Sequence, residues 1–132
     1  MSDKLSAASL LLAIVAVLYG LWYPILTEGL ATPVPEFSAN RAGPRKAVRS
    51  TRNTRALPLM VATVGVAAVF LPDAVAILIQ SLRYGVSQGL GALAAYDSVS
   101  TAFVLVEGLS IYFAAHFTRV WMDFGRLLKR LA

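Results

Sequence analysis

The chain has 132 residues, no cysteine, one histidine and a formal net charge of +5. Apolar types make up 58% of it, against about 45–50% in an average soluble domain, and charged types 14%, against about 25%. These values exclude a disordered chain, a disulfide scaffold and a thiolate metal site, and they speak against an ordinary soluble domain.

The first element is an uncharged apolar run over 5–26. At about 1.5 Å rise per residue it reaches across a hydrocarbon core of about 30 Å. Leu10 to Leu18 has no polar stripe, unlike a helix at the edge of a soluble core. Tyr19, Trp22 and Tyr23 close the run, where amphipathic rings favour the headgroup level. Gly29-Leu30-Ala31 resembles a small-x-small cleavage site, but the run is longer than the 7–15 residue core of a signal peptide, and a retained span is expected.

A basic connection follows over 28–55. Thr32-Pro33-Val34-Pro35 is expected to be extended, and Pro44 to start a short helix. Arg41, Arg45, Lys46, Arg49, Arg52 and Arg55 stand there with no acid among residues 41–55. Arg45, Arg49 and Arg52 fall on one helical face, suited to anionic lipid at about 1 kcal/mol per charge. No aromatic residue lies between Asn40 and Leu57 to stack a base, so specific nucleic-acid binding is not expected.

The second run, 56–82, is interrupted only by Asp73, which follows Pro72. The proline costs a helix hydrogen bond, and Asp73 is expected to cap a segment restarting at Ala74, or else to contact a substrate or ion. The next connection, Arg83 to Asp97, contains Gly85-x-x-x-Gly89 and Gly91-x-x-x-Ala95, spacings that let helix backbones approach closely. It reads as an interfacial helix, with a short fourth span after Pro72-Asp73 as the alternative.

The third run, 98–118, is interrupted only by Glu107, about 14 Å along it and so near a bilayer midplane. An ionised carboxylate there costs about 2.5–3.5 kcal/mol, so a neutral acid is expected unless paired. Ser110, Ala114 and Thr118 share its face. Two readings stand: a neutral acid hydrogen-bonded across a helix interface, and a proton or cation relay. His116 reads as an interfacial hydrogen-bonding histidine; a haem held by two histidines would take its second ligand from another chain. From 119 to 132 an amphipathic helix is expected, with Phe117, Val120, Trp121, Phe124, Leu127, Leu128 and Leu131 as its apolar stripe. It either turns to lie in the headgroup layer or continues span three onto a partner.

The expected fold is therefore all-α, with three transmembrane helices and a C-terminal amphipathic helix in one integral domain over 1–132. The basic connection and tail place the N-terminus outside and the C-terminus in the cytoplasm, in keeping with a bacterial inner membrane. Gly85-Val86-Ser87-Gln88-Gly89 matches the serine-hydrolase elbow pattern, with Asp97 and His116 in hydrolase order, but no part of the chain reads as a sheet to hold an elbow. No phosphate loop, dinucleotide fingerprint or His-Glu-x-x-His occurs, and no metal, cofactor or catalytic residue is expected.

Arg49, Arg52 and Asn53 before Leu57-Pro58 resemble the first cytosolic loop of the membrane-associated eicosanoid and glutathione metabolism family. That resemblance implies four spans and a trimeric transferase acting on glutathione conjugates; Arg55 and Ala56 stand where the family has a glutamate. The topology is also similar to that of three-span phage holins, which implies a pore-forming homo-oligomer. The residues themselves point to a non-catalytic subunit or accessory factor of a larger membrane complex, partnered by other membrane subunits or by itself.

Overall fold

The computed structural model describes residues 2–88 and 97–132, which are mostly helical with no strand among them. Helix α1 is Ser2–Leu30, α2 is Ala42–Thr51, α3 is Leu57–Gln88 and α4 is Ser98–Arg130. A 3-10 turn, Ser38–Asn40, precedes α2, and a π turn, Arg52–Ala56, joins α2 to α3. Three helical stretches are long and apolar enough to cross a membrane: Ser2–Leu30, Ala42–Ser87 and Ser98–Arg130. Each runs past the boundaries expected from composition, because backbone hydrogen bonding continues where the apolar run ends.

The helices pack through a 3-4 spacing. In α1 the inward positions are Leu5, Ala8, Leu12, Val15, Tyr19, Trp22, Leu26 and Gly29, all at least half-buried. In α4 they are Phe103, Glu107, Ser110, Ala114, Phe117, Trp121, Phe124, Leu128 and Leu131. Alternating steps of three and four keep one seam facing a neighbouring helix, the geometry of knobs-into-holes bundles. The Phe70 and Phe103 rings meet edge-to-face at 6.0 Å, beside Ala8 and Ala74. Near the other end Ala56 and Leu59 join Phe117 and Val15 in a second cluster. α3 is thus antiparallel to α1 and α4, which run parallel to each other.

At the end bearing α2, here the basic end, span three continues, one of the two arrangements expected for 119–132, but it packs on the chain itself rather than on a partner. The amphipathic stretch over 119–132 is not a separate helix: α4 runs unbroken through Gly125 to Arg130. Its apolar stripe is covered by the chain itself, since Phe124, Leu127 and Leu131 pack with Leu26 of α1 and Val48 of α2. The last turn of α1 comes close enough that a Cβ on Gly29 would stand 2.9 Å from Cε1 of Phe124. Arg41 holds the extended segment before α2, donating from Nε to the Pro35 carbonyl at 2.9 Å. α2 begins at Ala42, two residues before Pro44, which still costs nothing because first-turn N–H groups have no helical acceptor.

The π turn has a local cause. Pro58 has no N–H for the Thr54 carbonyl, and just before it the helix widens so that the Leu57 N–H bonds Arg52 O. The wide turn shifts the phase between α2 and α3. Arg52, still in register with α2, turns its guanidinium to within 4.1 Å of the Trp121 ring centre, while Arg45, Lys46 and Arg49 stay exposed. Arg55 lies 5.5 Å over Trp22. At the opposite end Lys4 Nζ meets Asp73 Oδ2 at 2.9 Å. Two polar rims result, separated by eighteen residues on α1, Lys4 to Trp22, and on α3, Arg55 to Asp73.

Candidate functional site

A few polar side chains of the three long helices lie inside the bundle. Thr63, Glu107 and Ser110 are its buried polar residues among those described. Counting from the Phe70–Phe103 contact along antiparallel helices sets Val66 level with Glu107 and Thr63 level with Ser110. The parallel register of α1, fixed by Tyr19 against His116 and Phe117, brings Leu12 to the same layer.

Glu107 is 2% exposed, and neither carboxyl oxygen has a hydrogen-bond partner. The surrounding layer offers the carboxyl no partner, and an ionised carboxylate is costly in such surroundings. Even neutral, an unsatisfied buried polar group costs about 1–3 kcal/mol. The expected cross-helix hydrogen bond is not made. Ser110 donates to the Val106 carbonyl at 3.0 Å, and Thr63 to those of Leu59 and Met60 at 2.8 and 3.0 Å. Both hydroxyls have committed their proton to their own helix and keep only acceptor lone pairs.

His116 lies nine residues from Glu107, about 14 Å toward the basic end. Its Nε2 and the Tyr19 hydroxyl share a hydrogen bond at 3.2 Å. Tyr112 stacks on the ring at 6.4 Å and Phe117 meets it edge-on at 5.5 Å. Nε2 is thus paired rather than free to ligate. Among the described residues no three His, Asp or Glu side chains gather as a metal-ligand set.

Asp73 does not cap a restarting helix, because α3 continues through Pro72. Its carboxylate pairs instead with Lys4, at side-chain exposures of 38% and 55%. The residue that does cap is Asp97, which accepts from the Val99 N–H at 3.0 Å and from the Ser100 hydroxyl. The Ser100 hydroxyl, followed by the Val99 N–H, holds the Asp97 carboxyl below the ordinary carboxylate range. An aspartate before an apolar helical run is a helix-start signal, so this role was there to be read.

Of the basic set, Arg41, Arg52 and Arg55 are engaged within the chain, leaving Arg45, Lys46 and Arg49 facing out. Gly85 stands in open space on α3, while Gly89, Gly91 and Ala95 lie outside the described residues. Ser87 is helical and donates to the Tyr84 carbonyl at 3.1 Å. By helical rise it stands about 45 Å from the level of His116, so these two groups form no triad. Comparison with protein-family models, with curated proteins and with solved structures found no match to this chain.

Proposed function

We propose that the chain is a small multi-pass protein of a bacterial inner membrane, acting as a non-catalytic subunit or accessory factor of a larger membrane complex. The observation that carries this reading is the end of α3, which is uncovered among the described residues. From Leu78 to Ser87 every side chain is exposed, with Leu82 at 68% and Val86 at 89%. In the bundle register α1 and α4 begin near the level of Val75 and Ala76, so neither described helix runs alongside this end. A helix of another membrane polypeptide is the occupant such a surface fits, with Gly85 allowing close approach.

The basic end supports a cytoplasmic position for α2 and both flanking segments, with the N-terminus outside. Exposed Arg45, Lys46 and Arg49 suit anionic lipid, at about 1 kcal/mol per charge near the surface. The polar residues within the bundle, Glu107, Ser110 and Thr63, turn inward. A pore assembled from copies of this chain would need polar side chains turned outward. In the spans the outward positions are instead such residues as Ile14, Val17, Val64, Leu105 and Leu109.

Because the chain has no cysteine, Val86→Cys introduces a unique thiol. A photo-crosslinker attached to that thiol in native membranes is expected to capture a different integral membrane polypeptide, which also co-purifies with wild type in mild detergent. Adducts only between copies of the chain would replace this reading with a homo-oligomer, and adducts only with lipid would remove the subunit role. A reporter fused after Ala132 should be active in its cytoplasmic form; activity only outside the cytoplasm would overturn the orientation.

A further inference from the structure

Glu107 alone among the described carboxyl groups is enclosed with both oxygens unpartnered. The surroundings of this acid are asymmetric along the bundle. Toward the Lys4–Asp73 end the seam is closed by Ala8, Phe70, Ala74 and Phe103, an apolar plug without a hydrogen-bonding side chain. Toward the basic end come the Ser110 and Thr63 hydroxyls, whose lone pairs remain open, then an apolar layer with Val15 and Leu59, and then the hydrogen-bonded Tyr19–His116 pair. No charged group among the described residues stands at the level of Glu107. The nearest titratable groups are the exposed Tyr112 on α4, then Tyr19 on α1 and His116 on α4, with Lys4 on α1 and Asp73 on α3 beyond the plug.

We infer that Glu107 is a proton-binding site that loads and unloads toward the Tyr19–His116 pair. On release the carboxyl O–H bond breaks and its electron pair stays on Glu107. The proton is relayed over the hydroxyl lone pairs and intervening water to the Tyr19 oxygen, whose own hydroxyl proton passes along the 3.2 Å hydrogen bond to Nε2 of His116; loading is the reverse. A proton fits this site where a metal cation does not. Sodium-like or divalent ions need several oxygen ligands, and one carboxylate faces this layer. The span from Ser110 to His116 is about 9 Å, which water must bridge, so exchange accompanies a loosening of α4 against α1 and α3.

Infrared spectroscopy of the full chain in vesicles at neutral pH tests this. The six other acids, Asp3, Glu28, Glu36, Asp73, Asp97 and Asp123, are exposed or ion-paired, so one protonated-carboxyl band is expected. It should vanish in Glu107→Gln and shift on transfer to D2O. The double variant Tyr19→Phe/His116→Phe should keep the band and lose the shift on the wild-type timescale. An absent band, a band that never shifts, or a shift unaltered by the double variant would each overturn the inference. Should Glu107→Gln fail to assemble, Glu107→Asp makes the assignment by moving the band, and an unmoved band sinks the proposal.

Discussion

Adding one methyl group at Gly29 sets two effects of known size against each other. Alanine is favoured over glycine in a helix by about 1 kcal/mol, and less at a fraying end such as the last turn of α1. Against this, the new Cβ would lie 2.9 Å and 3.1 Å from Cε1 and Cζ of Phe124, and 3.5 Å from Cγ2 of Thr51. Carbon atoms prefer about 3.5–4.0 Å, so the ring must move by roughly half an ångström or more. Phe124 is 0% exposed and lies in the cluster with Leu26, Val48, Leu127 and Leu131, so the displacement is passed on. Overpacking of this kind costs about 1–3 kcal/mol, and Gly29→Ala should therefore destabilise by about 0.5–2 kcal/mol net. Gly20 provides the control: a Cβ there meets nothing within 4 Å, so Gly20→Ala should be neutral or stabilising by up to about 1 kcal/mol. Unfolding followed by circular dichroism in mild detergent should rank Gly20→Ala at or above wild type, and Gly29→Ala below both. Shortening the ring with Phe124→Leu should relieve the Gly29→Ala penalty, a coupling expected of residues in contact. If Gly29→Ala is as stable as Gly20→Ala, the close approach of α1 to α4 at the basic end is wrong.

Three other perturbations have defined signs. Asp97→Ala should weaken the start of α4 while Asp97→Asn largely preserves it, since the amide oxygen still accepts from Val99; amide hydrogen exchange over residues 98–102 reads this directly. Because the folded carboxyl is held below its ordinary range, its contribution is whole above that range and lost as pH falls through the lowered value, so acid should fray α4 from this end. Arg52→Gln should cost about 0.5–2 kcal/mol by removing the guanidinium from the Trp121 face, seen as a changed Trp121 emission in a Trp22→Phe background. Lys4→Gln and Asp73→Asn should each cost less than about 1 kcal/mol and become indistinguishable from wild type in high salt, because the pair is solvent-exposed.

The existence of three long helices could be read from three apolar runs, but not how they pack. In a sequence where nearly every position is apolar, hydropathy cannot mark the inward face, and the seam is carried by size and spacing instead. Leu5, Ala8, Leu12, Val15, Tyr19, Trp22, Leu26 and Gly29 step by three and four, a pattern found only by counting. The same blindness made Tyr19 and Trp22 look like headgroup aromatics, whereas both turn toward the bundle, Tyr19 to His116 and Trp22 to Arg55. The amphipathic stripe of the last residues reads identically whether lipid or protein covers it. The decision lies in α2, whose Val48 supplies the cover, and in a π turn set by Pro58. The depth of Glu107 was legible from its place in the run; its lack of a partner was not, because that depends on which side chains the packing brings within reach of the carboxyl. Asp73 was read through its neighbour Pro72, and its true partner, Lys4, is sixty-nine residues away in the chain.

The two polar rims also make the molecule a gauge of membrane thickness. Eighteen residues separate them on α1 and again on α3, which at helical rise is about 27 Å. That is a few ångströms less than an average hydrocarbon core of about 30 Å. The helices cannot adjust independently, because Ala8, Phe70, Ala74 and Phe103 pack together toward one end and Leu26, Val48, Phe124 and Leu131 toward the other. On the proposed membrane reading, a bilayer matched to the rims would be thinner than average around the bundle, at a fraction of a kcal/mol per ångström. Neighbouring chains share that deformation when they sit side by side. Lipids with longer acyl chains would therefore drive this protein toward partners, with no new contact formed at the protein surface.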